Sequence, residues 1–457
     1  MHAIFSRQPR VGSRSSFILL GQGNFHALAI FALVSFLTFM ATDCKAAAAD
    51  RPPNIILFMA DDVGYECFGC YGSEQYSTPN LDRMAAEGLR FRHCYSQPLC
   101  TPSRIKIMTG LSNVRNYAAF SVLREDQKTF AHHLKQAGYK TAIGGKWQLY
   151  GADHYSDRFR GQGSLPDQMG FDNHCLWQVK KLGDRYWNPL LTIDGKNRQF
   201  APQDYGPDIV TDYLLNFIDQ HSKDDAPMLV YYPMILVHNP FPPTPTSESA
   251  KERNKQKNFE DMVAYMDRLV GRFLNKIEAH GIAEETLVLF TADNGTNKAI
   301  LSQLGDRVIR GGKGKTSDAG TREPLIAWWP GTIRGGEVTD QLVDFSDFLP
   351  TFNQLAGTKV PENLDGTSFA DLLKGKPFSG RQWMHCFYHP RPERGEAVQF
   401  VRDHDWKLYR DGRFYHVAVD SDERTPRKPG DAPQSHAALK TVLESVPAKG
   451  QMLLQFD

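Results

Sequence analysis

The feature that most constrains this chain is a set of short, continuous apolar runs, each stopping at polar, chemistry-bearing residues. Residues 54–59 read Asn-Ile-Ile-Leu-Phe-Met and lead into Asp61-Asp62-Val63-Gly64. A run without alternation is the pattern of a strand buried on both faces, which needs other elements packed above and below it. The pattern recurs where residues 139–143 deliver Lys146 and Gln148, residues 228–237 deliver His238, and residues 287–290 deliver Asp293 and Asn294. Between these runs, residues 129–138 read as a helix that stops at a glycine. In residues 259–280, Met262, Met266, Leu269, Phe273 and Ile277 return every three or four positions, the stripe of an amphipathic helix. Strands alternating with helices predict an α/β fold with a mostly parallel sheet covered on both faces. Ligands of such sheets sit beyond the carboxyl ends of the strands, so the four polar termini point to one convergent site.

Beyond residue 376 the texture changes. Residues 384–388, 397–402, 406–409 and 413–416 are short strand-like runs separated by turn residues, and residues 436–443 read as a helix. The expected division is therefore a main α/β domain over 50–375 and a small C-terminal α+β subdomain, an antiparallel sheet and helix, over 376–457. The Pro- and charge-rich residues 424–433 read as an exposed loop. With 53 Lys+Arg against 52 Asp+Glu and a formal net charge of +1, the bulk electrostatics give no footprint for nucleic acid or a membrane surface.

At the N-terminus Arg7, Arg10 and Arg14 precede an apolar run over residues 27–40, followed by four alanines at 46–49 ahead of Asp50. That is the order of a secretory signal peptide, expected over 1–49, with export to the periplasm or the medium. The run is shorter than the roughly 20 residues of a bilayer span, so no stable membrane anchor is expected. Removal of that segment leaves Cys67, Cys70, Cys94, Cys100, Cys175 and Cys386, too few in a chain of this length for a disulfide scaffold. Cys67 and Cys70 read as a buried thiol or a single disulfide, because no second Cys/His pair at metal-ligand spacing lies nearby.

Adjacent carboxylates after a buried strand are costly unless something neutralises them. Asp61-Asp62 and Asp293-Asn294 each read alone as a cap or turn, but together they offer the all-oxygen donor set of a hard divalent cation. Asn294-Gly295-Thr296 also scans as an N-glycosylation acceptor. A glycan there would remove a metal ligand, so the triplet reads as chemistry.

The stretch Leu99-Cys100-Thr101-Pro102-Ser103-Arg104, followed by Met108-Thr109-Gly110, resembles the signature of the sulfatase family, in which a Cys or Ser is oxidised to formylglycine. The resemblance runs in order over residues 54–375. It passes through Lys146-Trp147, His238, Asp293-Asn294-Gly295, Gly312-Lys313-Gly314, Arg322-Glu323-Pro324, the Asp347-Phe348-Leu349-Pro350-Thr351 segment and Leu364-Asp365-Gly366.

The resemblance implies an alkaline-phosphatase-like α/β fold and a Cys-type arylsulfatase-like enzyme, a sulfuric ester hydrolase. It implies one divalent cation, Ca2+ rather than Mg2+, held by Asp61, Asp62, Asp293, Asn294 and an oxygen of modified Cys100. It implies that Cys100 becomes the nucleophile as a hydrated aldehyde (3-oxoalanine), whose second hydroxyl lets sulfate leave, and therefore a formylglycine-generating or sulfatase-maturating enzyme as partner. Arg104 matches the arginine that steadies the diol, Lys146 and Lys313 match lysines that hold sulfate oxygens, and His238 matches a histidine near the leaving-group oxygen. His238 or Lys313 is thus the candidate general acid. Gln148 departs from the family pattern, which has His at that position. Glutamine can bind sulfate but cannot take up a proton near neutral pH, which puts the second half of the mechanism in question.

The expected substrate is a sulfated small molecule or glycan. The alternatives are a phosphonate monoester or phosphodiester hydrolase of the same superfamily and, in another class, a catalytically silent sulfated-glycan-binding protein, in whose favour only Gln148 speaks. Residues 151–166, 239–257 and the C-terminal subdomain are where substrate choice is expected. Trp177, Tyr186, Trp187 and residues 385–389 read either as sugar-stacking surface or as core.

Overall fold

The computed structural model describes residues 51–248, 254–392 and 394–451. The strand Asn54–Ala60 is buried over its whole length. Alternate side chains point to opposite faces, so Ile56, Phe58 and Ala60 enter one apolar core and Ile55, Leu57 and Met59 enter the other. The first core is completed by Pro79–Glu87, Gly206–His221 and Lys255–Ala279, which contribute Leu81, Met84, Leu214, Met262 and Phe273. Cys100–Thr109, Phe130–Gln136 and Phe348–Leu355 cover the opposite face with Ile105, Met108, Phe130, Leu134 and Phe352.

The ten-stranded sheet runs in the order Glu337–Asp344, Leu89–Tyr95, Arg322–Trp328, Thr286–Ala292, Asn54–Ala60, Met228–Pro233, Lys140–Lys146, Asn173–Trp177, Leu190–Ile193 and Lys196–Gln199. Thr286–Ala292, Asn54–Ala60, Met228–Pro233 and Lys140–Lys146 are neighbours and parallel, so their carboxyl ends lie side by side. These are the four strands expected to carry the site. Antiparallel pairing enters at Arg322–Trp328 and at the Leu190–Ile193 edge.

The run 228–237 is not one strand as expected: the strand stops at Pro233, which has no N–H to continue the ladder. Residues 234–237 instead exchange backbone hydrogen bonds with the neighbouring strand end: Met234 N–H donates to Met59 O at 2.8 Å, Val237 N–H to Asp61 O at 2.8 Å and Asp61 N–H to Leu236 O at 2.9 Å. His238 is therefore tied to Asp61 rather than projected from a strand tip.

Met384–Tyr388, Val398–Arg402, Trp406–Tyr409 and Phe414–His416 form a four-stranded antiparallel sheet. The helix Pro433–Ser445 packs Leu439 and Leu443 on its Val401, Leu408 and Phe414 side, and Met384 and Cys386 face Tyr95 and Leu342 of the large sheet. From Pro52 onward the described residues form one compact unit. The segment 1–49, where export is expected, lies outside the described residues. Among the described residues no helix is long and apolar enough to cross a membrane. Cys67, Cys70, Cys94, Cys100, Cys175 and Cys386 are all free thiols. Trp177, Tyr186 and His385 are buried, the core reading of those side chains.

Candidate active site

Cys100 is the first residue of the helix Cys100–Thr109, all ten of whose residues are buried. This places Cys100 at a helix N-terminus, where unpaired N–H groups favour negative charge, beside the four strand ends. Its Sγ–H donates to Gln148 Oε1 at 3.2 Å. Gln148 occupies the left-handed backbone region at φ 50, and so does Asp62 at φ 64. Such outliers in non-glycine residues persist only where the surroundings over-determine them, and they gather at functional sites.

The four expected metal-ligating side chains from the two acidic strand ends are linked to one another or through Arg104. Asp62 N–H donates to Asp293 Oδ1 at 3.1 Å, and Asn294 Nδ2 donates to Asp62 Oδ1 at 2.9 Å. Arg104 donates to Asp293 Oδ2 through Nε at 3.2 Å and Nη2 at 2.8 Å and reaches the Lys146 carbonyl through Nη1 at 3.2 Å; its Nη2 lies 3.9 Å from Asp61. Lys146 Nζ lies 2.8 Å from Asp61 Oδ2, and Lys313 Nζ lies 2.5 Å from Asp62 Oδ2 and 3.0 Å from His238 Nε2. All ten residues singled out from the sequence thus fall in one cluster, seven of them buried and Gln148, His238 and Lys313 half-buried.

Three carboxylates sharing so small a space cannot behave alike. Burial alone would raise the Asp61 carboxyl, but Lys146, with help from His238, Arg104 and Lys313, holds it well below the usual carboxylate range. Burial and then the Asp61 charge push Asp293 upward despite Arg104. Burial also raises the Cys100 thiol, so the unmodified side chain is a poor thiolate. His238 is lowered to about 4, first by burial, and is neutral at pH 7. Its Nε2 faces Lys313 Nζ at 3.0 Å, and its Nδ1 lies 2.5 Å from the Asn239 carbonyl and 3.1 Å from Arg185 Nη1, so a cationic donor stands at each ring nitrogen.

The donor set fits a divalent cation. One ligand atom each from Asp61, Asp62 and His238 lie within 4.8 Å of one another. Asn294 Oδ1 is buried with no hydrogen-bond donor, an orphan that a cation would satisfy. His238 was not among the expected ligands and lies 3.5 Å from Asp62 Oδ2.

Sequence reasoning missed the supports of this cluster. Arg185 stacks over Trp177 at 4.0 Å and brings Nη1 to 3.1 Å from His238 Nδ1, while the Tyr186 hydroxyl donates to the His238 carbonyl. Thr296 accepts from Gly64 N–H at 2.9 Å and donates to the buried Glu66 at 2.6 Å, joining the two acidic loops. Arg185 carries no local signal in the sequence, and Glu66 shows itself only through its burial.

The sulfatase family model matches residues 53–358, and the model of the N-sulphoglucosamine sulphohydrolase C-terminal region matches residues 314–423. Human arylsulfatase A is 35% identical over 388 residues, covering 79% of this chain and 75% of that protein. Dog N-acetylgalactosamine-6-sulfatase is 30% identical over 409 residues, covering 82% and 74%. Among solved structures, one in complex with its substrate D-glucosamine-2-N,6-O-disulfate superimposes with a TM-score of 0.71 at 24% identity, over 86% of this chain and 97% of that one. The large mixed sheet with its small C-terminal antiparallel sheet is the alkaline-phosphatase-like fold of such structures. On the length of the family match and the identity to arylsulfatase A, this chain belongs to the sulfatase family and is a sulfuric ester hydrolase.

Proposed function

We propose that this enzyme removes sulfate from a sulfated carbohydrate, using residue 100 after its conversion to formylglycine and one calcium ion. The observation that carries the reading is the meeting, at one helix N-terminus, of Cys100 with three buried carboxylates, the orphan Asn294 Oδ1, Arg104 and Lys146. Calcium held by Asp61, Asp62, Asp293, Asn294 and an oxygen of residue 100 would polarise a sulfate oxygen and favour ionisation of the nucleophile. Hydrated formylglycine supplies one hydroxyl to attack sulfur in line with the leaving alcohol and a second whose deprotonation expels sulfate.

The chain's own residues supply the rest. Arg104, fixed by Asp293, orients residue 100, and Lys146 and Lys313 are placed to hold sulfate oxygens as charge redistributes. Lys313, a cation whose Nζ lies 3.0 Å from His238 Nε2, is the proton donor to the leaving oxygen, and His238 positions it. Gln148 hydrogen-bonds residue 100 but takes up no proton, which leaves the final deprotonation to water or another side chain. Export through residues 1–49 and maturation by a formylglycine-generating enzyme belong to the same reading. A sulfated glycan as substrate is supported by the substrate of the solved relative named above.

The test is sulfate release from 4-nitrophenyl sulfate and from sulfated saccharides by calcium-loaded protein made with a formylglycine-generating enzyme. Sulfate release faster than hydrolysis of a matched aryl phosphonate is expected. Glycan binding without release by fully converted protein would overturn the reading.

A further inference from the structure

Beside residue 100 lies a cavity of about 620 Å3 lined by Leu99, Phe120, Tyr155, Phe159, Tyr388 and Arg391, among others. The size falls in the range of small-molecule sites. Its aromatic rings come from three separate segments, and Leu99 directly precedes Cys100. At Gly314 (φ 80), the position a Cβ would take lies 3.8 Å from the Tyr388 hydroxyl and 4.0 Å from Leu99 Cδ2. Tyr388 lies within electrostatic reach of Cys100, Arg391 and Lys313.

Arg391 differs from the other cations near the site. Arg104, Lys146 and Lys313 each hold a carboxylate, whereas Arg391 is exposed and forms no ion pair among the described residues. An exposed guanidinium in a cavity lined also by four aromatic rings matches a flat ring that carries a second negative group.

Resting on the sulfatase reading above, we propose that this cavity takes the sugar ring that bears the scissile sulfate, packed against the aromatic side chains. Arg391 pairs with a second anionic group of the same saccharide, a carboxylate or a further sulfate. The preferred substrate is therefore a multiply charged saccharide.

The experiment compares wild type, Arg391→Gln and Arg391→Lys, all with residue 100 converted and calcium bound. Their substrates are 4-nitrophenyl sulfate, a singly sulfated monosaccharide, and the same monosaccharide bearing a second sulfate or a uronic carboxylate. Arg391→Gln is expected to lower kcat/KM about tenfold or more on the doubly charged sugar, mainly through KM, and to stay within about twofold on the other two, with partial rescue in Arg391→Lys. Equal effects on all three substrates, or none on the doubly charged one, would overturn the proposal. Calorimetric binding of the two sugars to Cys100→Ala and to Cys100→Ala/Arg391→Gln tests the same contact without turnover. A wild type that releases no sulfate yet binds the doubly charged sugar through Arg391 would refute the function and keep the subsite.

Discussion

Where the C-terminal sheet meets the large one, each buried cation closes on a carboxylate. Arg402 Nη1 lies 2.7 Å from Asp318, Lys407 Nζ lies 2.6 Å from Glu423, and Lys106 Nζ lies 2.6 Å from Asp344. At the strand ends the same kinds of groups are arranged differently. Asp61, Asp62 and Asp293 share Arg104, Lys146 and Lys313; Asn294 Oδ1 has no donor, and two residues hold left-handed backbone. Closed pairs leave no capacity for further charge, and breaking one exposes a buried ion. An open set keeps its capacity for a cation and a sulfate, and its groups are expected to matter more to turnover than to folding.

The sharpest way to break this contrast is Cys100→Ala, which is expected to lower kcat by about 10⁴-fold or more while shifting unfolding free energy by under about 1.5 kcal/mol. Sulfate release and denaturant unfolding report the two effects. Lys407→Met should do the reverse. It leaves the half-buried Glu423 with only the Tyr409 hydroxyl and is expected to lose about 2–4 kcal/mol of stability, with kcat/KM per folded molecule unchanged. Stripping divalent cations should abolish activity, and calcium at a hundredfold excess over its Kd should return both activity and about 3 kcal/mol of stability, read as a raised Tm. Magnesium is expected to restore less, because it demands a stricter octahedral shell.

The smallest effect concerns pH. His385 accepts from Ser112 at Nδ1 and donates to Gln399 Oε1 at Nε2, so it is satisfied as a neutral ring. Burial, followed by the Lys106 charge, lowers it from 6.5 to about 4. With the folded value below the unfolded one, the unfolded chain takes up the proton first as pH falls. His385 thus contributes stability above pH 6.5 that is lost toward pH 4, at most about 3 kcal/mol. Urea unfolding at pH 7.5, 5.5 and 4.5 should show this loss, and a shallower one in His385→Gln.

The strand ends were legible because a strand buried on both faces must be apolar without interruption, as in Asn54–Ala60 and Thr286–Ala292. The helix Cys100–Thr109 was not, because burial on all sides erases the polar face that marks an amphipathic helix. Nor was the antiparallel strand Arg322–Trp328, whose place between Leu89–Tyr95 and Thr286–Ala292 depends on pairings far apart in sequence. Among the site residues, the chemistry-bearing side chains stood out by type and position. Arg185 and Thr296 act by holding others in place, and nothing in their local sequence marks that work.

The central claim is that residue 100 is the nucleophile only after oxidation. Mass spectrometry of the peptide containing Cys100, from protein made with a formylglycine-generating enzyme, tests it most directly. The account predicts a loss of about 18 Da relative to cysteine, partly hydrated, in proportion to the specific activity of each preparation. Full activity from protein in which that peptide carries only unmodified cysteine would contradict it.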